Sequence, residues 1–227
     1  MKGRVLAVSG IDTGVGKTVA TGHLAKAFRA AGVQAITQKI AQTGCEGISG
    51  DIAVHREIMG IGLQDVDLDG TTCPYVFRYP ASPHLSAAME GKEIDVMAVR
   101  RATFMLQKRY ELVMLEGAGG LLVPLNGSLM FADFIRDAGY GLVLVTSPRL
   151  GSINHTLLSL EACISRNIEV RAVVYNRFGE EDAAISMDTR KVIEQSMMHY
   201  GMSRAPLIDL DVNGFSSGVA AGLLLNI

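Results

Sequence analysis

The stretch Gly10-Ile11-Asp12-Thr13-Gly14-Val15-Gly16-Lys17-Thr18 constrains this chain more than any other part of it. It follows the apolar run Val5-Leu6-Ala7-Val8, which reads as a buried strand, and precedes Val19 to Ala31, which reads as a helix. A strand, a glycine-rich turn and a helix opening with Gly-Lys-Thr form a cradle for an anion. The turn's N–H groups and the helix N-terminus direct positive partial charge at one spot. Lys17 would neutralise the outer phosphates of a nucleoside triphosphate, and the Thr18 hydroxyl would ligate Mg²⁺. Nucleotide contacts are expected from Asp12, Thr13, Gly14, Val15, Gly16, Lys17, Thr18 and Val19. The ordinary phosphate loop, Gly-x-x-x-x-Gly-Lys, needs a glycine at position 11, which is isoleucine here. The nearest earlier glycine is Gly10, so the loop is one residue longer. The alternative is a helix start that is glycine-rich by chance; the ordered succession of strand, turn, Lys-Thr and helix argues against it.

Strand-like apolar runs alternate with helical patterns along the rest of the chain. The strands are expected at Arg4–Ser9, Val33–Lys39, Glu111–Glu116, Tyr140–Thr146 and Glu169–Asn176. The helices are expected near Lys17–Ala31, Asp51–Met59, Asp95–Tyr110, Phe131–Ala138, Ser152–Arg166 and Asp182–Tyr200. Leu112-Val113-Met114-Leu115 and Leu142-Val143-Leu144-Val145 are continuous rather than alternating, as strands buried on both faces are. This pattern predicts an α/β fold, a mostly parallel twisted sheet flanked by helices, in one nucleotide-binding domain over residues 1–227. Ligands of such sheets lie beyond the carboxyl ends of the strands, so polar residues there are the candidates.

Composition narrows the function classes. With 21 Lys+Arg against 23 Asp+Glu, no basic field exists to attract nucleic acid or an anionic membrane surface. No apolar stretch approaches the twenty or so residues that cross a bilayer, and no signal peptide opens the chain. Gly218–Leu225 is small and apolar without basic residues, unlike an amphipathic membrane tail. The three cysteines, Cys45, Cys73 and Cys163, are odd in number and widely spaced. That suits a reducing cytoplasm rather than a disulfide framework or a zinc site.

Five strand-end and helix-start features carry chemistry. Lys39 ends the second strand at the edge that holds Lys17; it is either a surface lysine or a second cation facing a transferred phosphoryl group. Asp51 opens a helix and is either a first-turn acid favoured by the helix dipole or a metal ligand. Glu116 ends the run Leu112–Leu115 and precedes Gly117-Ala118-Gly119-Gly120, where the backbone can approach phosphates closely. It is either a turn residue or, with Thr18 and Asp51, one of three hard oxygen donors for Mg²⁺. Ser82-Pro83-His84 reads as a rigid helix-opening turn, with Ser82 able to cap, or as a substrate contact. Gly151-Ser152-Ile153-Asn154 begins another helix whose N–H groups could bind a carboxylate, although capping by Ser152 would also account for it. His23, His55 and His199 read as packed or solvated helix residues.

Taken together these motifs resemble the ATP-dependent dethiobiotin synthetase family. The resemblance rests on Gly10-x-Asp12-Thr13-x-Val15-Gly16-Lys17-Thr18, on Lys39 with Gln42-Thr43-Gly44, and on Ser82-Pro83-His84. It extends through Glu116-Gly117-Ala118-Gly119-Gly120, Leu150-Gly151-x-Ile153-Asn154-His155 and Asn176-Arg177. It implies conversion of 7,8-diaminononanoate, CO₂ (from bicarbonate) and ATP to dethiobiotin, ADP and phosphate, through a carbamate and a carbamic–phosphoric anhydride. It also implies Lys17 and Lys39 as the catalytic cations, and Mg²⁺ held by Thr18, Asp51 and Glu116. The nucleotide would lie along Gly117, Ala118 and Gly119, with Asn176 reading the adenine edge. Thr43, Ser82 and Pro83 would contact substrate. Gly151, Ser152, Ile153 and Asn154 from a second subunit would hold its carboxylate tail, in a homodimer with the site at the interface. Three departures stand out: Gly14 where some relatives carry an acid, Ile40 where proline is common, and Leu207-Ile208-Asp209-Leu210-Asp211-Val212-Asn213 in place of a Gly-x-x-Pro pattern. Two other classes share such a core. A cobyrinate-type amidase would need a glutaminase domain with a nucleophilic cysteine. A nucleotide-switch ATPase would carry a signature lysine at the position of Asp12.

Overall fold

The computed structural model of the chain describes residues 3–180, 182–215 and Gly222, so the Gly218–Leu225 tail lies mostly outside the described residues. A seven-stranded sheet forms the centre, in the order β2 (Ala35–Lys39), β5 (Leu112–Gly120), β1 (Arg4–Gly10), β6 (Gly141–Thr146), β7 (Val170–Asn176), β8 (Leu207–Asp211) and β9 (Gly214–Phe215). All neighbours pair in parallel except β8 with β9. A separate two-stranded parallel ribbon joins β3 (Gln42–Thr43) to β4 (Val76–Phe77). The helices are α1 (Lys17–Ala30), α2 (Gly50–Met59), α3 (Asp65–Leu68), α4 (Pro83–Met89), α5 (Val96–Arg109), α6 (Phe131–Ala138), α7 (Ser152–Ser165) and α8 (Ala183–His199).

The expected mostly parallel α/β architecture is observed. Every residue of β5 from Leu112 to Glu116 is buried, as its unbroken apolar run requires. Leu142 to Val145 of β6 are likewise buried. Leu6, Leu24, Phe28, Met114, Leu144 and Val173 belong to one large core, while Ile36, Val66, Leu106 and Val113 form a second. Among the described residues no helix is long and apolar enough to cross a membrane.

Differences from the expected elements are local and have identifiable causes. The second strand starts at Ala35, not Val33, because Val33 N–H closes the end of α1 by bonding Phe28 C=O at 3.0 Å. β5 continues through Gly117-Ala118-Gly119-Gly120 instead of turning at Glu116; Gly120 still pairs with Gly10. Ser82 stands at the cap position of α4 but makes no capping hydrogen bond, and Pro83 opens the helix instead. Gly151, not Ser152, is the cap residue of α7; the Ser152 hydroxyl is buried against Ser147 at 3.1 Å. β8 occupies the segment that departs from the family pattern, and β9 follows directly after it.

Candidate active site

The loop between β1 and α1 is built for an anion. Gly16, at φ 90°, is left-handed and caps α1 with no side-chain hydrogen bond, which leaves first-turn N–H donors of the helix for a ligand. A Cβ at Gly16 would overlap the amide of Asn176, whose Nδ2 donates to Val15 C=O at 2.9 Å. Asn176, at the end of β7 and 4% exposed, therefore braces the back of the loop. The Lys17 ammonium donates to Asp12 C=O at 2.7 Å, folding back over the loop. Burial, assisted by the nearby Lys39 charge, lowers Lys17 to about 8.

Strand register brings the second half together. Lys39 of β2 and Glu116 of β5 are direct partners across the sheet, and Glu116 also stands opposite Val8 of β1. Side chains of in-register neighbours share a face, so Lys39 Nζ lies 2.7 Å from Glu116 Oε1. The same ammonium donates to Gly117 C=O at 2.9 Å and pairs with Asp51 Oδ2 at 2.5 Å. Its three protons are thus all committed. Burial alone would lower the Lys39 ammonium, but Glu116 and Asp51 more than offset it and hold the group above its usual value. Burial likewise opposes ionisation of Glu116, and the Lys39 charge overrides that and keeps the carboxylate ionised. The Thr18 hydroxyl reaches Glu116 Oε1 at 3.2 Å.

A cavity of about 400 Å³ opens over these groups, lined by Thr13, Gly14, Gly16 to Val19, Lys39, Thr43, Asp51, Glu116, Ala118 and Gly119 among others. Both lysines, the three expected oxygen donors and Thr43 therefore meet at one place. Asp51 is in the first turn of α2, as expected; the cap is Ser49, whose hydroxyl accepts from Ile52 N–H. Other candidates lie elsewhere. Ser82 and Pro83 do not line this cavity, although their helix α4 packs against β3, which carries Thr43. Gly151 to Asn154 also lie outside it; Ile153 is half-buried and Asn154 exposed. Asp12 faces a second cavity, with Gly120 to Val123, His155 and Leu158, and its carboxylate pairs with Arg149 just before α7.

The structure adds groups that sequence reading left unassigned. His55 is fully buried, with Nε2 2.8 Å from Glu116 Oε2 and Nδ1 3.0 Å from Thr37 Oγ1. Arg56 donates to Thr37 Oγ1 at 2.7 Å and forks onto Asp67 at 2.8 and 2.7 Å. Burial pushes Asp67 up, but Arg56, the Gln64 N–H and the Thr72 hydroxyl more than offset it and hold the carboxyl below the usual range. One signal was available: His55 stands four residues after Asp51, on the same face of α2.

Known proteins show the family and the fold. The profile of a family described as an AAA domain matches residues 4–202. The ATP-dependent dethiobiotin synthetase BioD of Chlorobaculum tepidum is 66% identical over 217 residues, which cover 96% of this chain and 91% of that protein. BioD 2 of Haemophilus influenzae is 53% identical over 180 residues, covering 79% of this chain and 94% of its own length. Among solved structures, a ParA family ATPase from Chlorobium tepidum superposes with a TM-score of 0.53 at 17% identity, over 98% of this chain and 90% of that one. MinD of Aquifex aeolicus gives 0.51 at 14% identity, over 97% and 86%. At such identities these two structures speak for the fold alone. The identity to the two synthetases reaches across most of both chains, and the protein belongs to the ATP-dependent dethiobiotin synthetase family.

Proposed function

We propose that this chain makes dethiobiotin from 7,8-diaminononanoate, CO₂ and ATP, acting as one domain over residues 1–227. The observation that carries the reading is the convergence of Lys17, Lys39, Thr18, Asp51 and Glu116 on one cavity at the carboxyl ends of β1, β2 and β5. The reaction asks for that and little else. One substrate amine adds to CO₂ and loses a proton, giving a carbamate. A carbamate oxygen attacks the γ-phosphorus of ATP, and ADP leaves. The second amine then attacks the carbamoyl carbon, closes the ureido ring and expels phosphate. No protein nucleophile takes part. The protein's work is to orient the reactants and to neutralise crowded oxyanions.

Lys17 and the uncapped start of α1 bind the β- and γ-phosphates. Lys39 stabilises the charge on the phosphoryl group in transfer. Thr18, Asp51 and Glu116 would hold Mg²⁺: two carboxylates and a hydroxyl within one cavity match the hard-oxygen set that it takes alongside phosphates and water. When bound, the ion would supply neutralisation of the phosphate charge. Gly117, Ala118 and Gly119 let the β5 backbone run close to the nucleotide. Asn176, which donates to Val15 C=O and accepts from Phe178 N–H, would read the adenine edge with the hydrogen-bonding capacity its amide has left. Thr43 would border the diamine within the cavity, and Ser82 and Pro83, outside it at the start of α4, would meet only a part of the substrate that extends beyond. Gly151, Ser152, Ile153 and Asn154 would reach a partner's site in a homodimer. The exposed Leu122, Leu150 and Leu158 supply an apolar surface for that association. A cytoplasmic location agrees with three free thiols.

The test is phosphate release with diaminononanoate and bicarbonate, run with each of four nucleoside triphosphates, with dethiobiotin measured alongside. Phosphate and dethiobiotin should form in equal amounts and require both co-substrates. Nucleotide hydrolysis indifferent to both would favour a nucleotide switch and overturn the reading.

A further inference from the structure

We propose that His55 is a positioning residue, which presents a single oxygen of Glu116 to the nucleotide's metal through a buried relay from Asp67, Arg56 and Thr37. The inference rests on the reading of Glu116 as a metal ligand. Its basis is a chain of hydrogen bonds whose two ends have a fixed sense: the Arg56 guanidinium can only donate and the Glu116 carboxylate can only accept. Arg56 has only donors, so at 2.7 Å from Thr37 Oγ1 the hydroxyl must accept from it. In the neutral ring the one proton must sit on Nε2 to face the Glu116 carboxylate, so Nδ1, 3.0 Å from Thr37 Oγ1, accepts that hydroxyl's proton. His55 Nε2 carries the ring proton and donates it to Glu116 Oε2 at 2.8 Å. Arg56 is itself fixed by its two bonds to Asp67, and Thr72 donates to Asp67 Oδ1 at 2.7 Å.

Every member is buried: His55 and Glu116 at 0%, Thr37 at 0%, Arg56 at 2% and Asp67 at 5% exposure. Bulk water is therefore kept from these groups, and an unpaired group in this chain would be strongly disfavoured. The consequence at the site is a division of labour between the two carboxylate oxygens. Oε2 is held by the ring, while Oε1 meets Lys39 and Thr18, whose side chains line the cavity. Partners that orient a ligating carboxylate from behind typically change metal affinity 10- to 100-fold when removed.

The experiment measures ADP binding by calorimetry with and without Mg²⁺, which gives the factor by which metal strengthens binding. His55→Leu should reduce that factor about 10-fold or more and leave metal-free ADP affinity unchanged. His55→Gln, whose amide can reach Oε2, should restore it. A merely structural role would weaken both affinities together. If His55→Leu does not fold, Thr37→Val against Thr37→Ser asks the same question, the hydroxyl alone being the difference. An unchanged factor in His55→Leu or, where that variant does not fold, in Thr37→Val overturns the proposal. So does a nitrogen-15 spectrum showing the His55 proton on Nδ1. Glu116→Gln separates the two readings. If it leaves the factor intact, Glu116 is not a ligand; if it abolishes the factor while His55→Leu does not, only the role of His55 fails.

Discussion

Gly16→Ala tests how the phosphate loop is held. Two costs follow from the structure. An alanine at φ 90° takes a left-handed conformation, at about 1–2 kcal/mol. Its Cβ would also overlap the Asn176 amide and displace the donor from Val15 C=O. Leaving such a buried group unpaired costs about 1–3 kcal/mol. The variant should therefore lose about 2–5 kcal/mol in urea unfolding followed by circular dichroism, with the slope unchanged. A double-mutant cycle separates the two parts. In an Asn176→Ala background the overlap is gone, and Gly16→Ala should cost only the backbone part, so the pair falls short of additivity by about 1–3 kcal/mol. Gly14→Ala is the internal control. Gly14 is also left-handed, at φ 75°, but a Cβ there meets nothing within 4 Å. It should lose about 1–2 kcal/mol and add independently to Asn176→Ala. Additivity of Gly16→Ala with Asn176→Ala to within about 0.4 kcal/mol would refute the brace.

Lys39→Ala should leave ATP binding largely intact while lowering turnover by about 10²–10³-fold, the loss usual when one charge-stabilising donor is removed; dethiobiotin formation at a near wild-type rate would remove Lys39 from the chemistry. Asp67→Asn breaks a buried ion pair and should cost about 3–5 kcal/mol near neutral pH. Because Asp67 titrates below its unfolded value of about 3.9, its contribution is fully present above that pH and disappears as pH falls through the lower folded value. The stability gap between wild type and variant should hold from pH 7 to 5 and close below pH 4; a gap that persists in acid would contradict this. Of the three thiols, half-buried Cys45 should react with an aromatic disulfide in the native protein, whereas Cys73 and Cys163, raised by burial to about 11 and about 12, should react only on unfolding. Native labelling of more than one thiol would argue against the packing around α7 or β4.

Much of this molecule is legible in its sequence because buried parallel strands leave a plain record. Leu112 to Leu115 can only be covered on both faces, and the acid that follows must then stand at the sheet's rim. The same holds for Lys39 after Ala35-Ile36-Thr37-Gln38. That these two groups touch is a matter of register, which the apolar pattern leaves open because either face of such a strand is equally apolar. His55 shows the limit more sharply. Its helical spacing from Asp51 indicates a shared face, but the carboxylate it meets is 61 residues away in sequence. Thr37 and Asp67 are equally silent, since a buried hydroxyl or carboxylate acquires meaning only from partners on other elements. The start of α7 misled for a different reason. Serine after glycine reads as a cap, yet the left-handed turn belongs to Gly151 and the hydroxyl turns inward.

The Lys39 ammonium stands between two acids, Glu116 and Asp51, that would otherwise repel each other. The chain thus folds with a positive charge of its own set between these two side chains. An incoming oxyanion can claim one of those protons only when a present acceptor lets go. Asp51, with a quarter of its side chain exposed, is the partner most easily displaced. Occupancy and release are therefore linked at a single nitrogen, and the cation becomes available to cargo only as its resident partners find another.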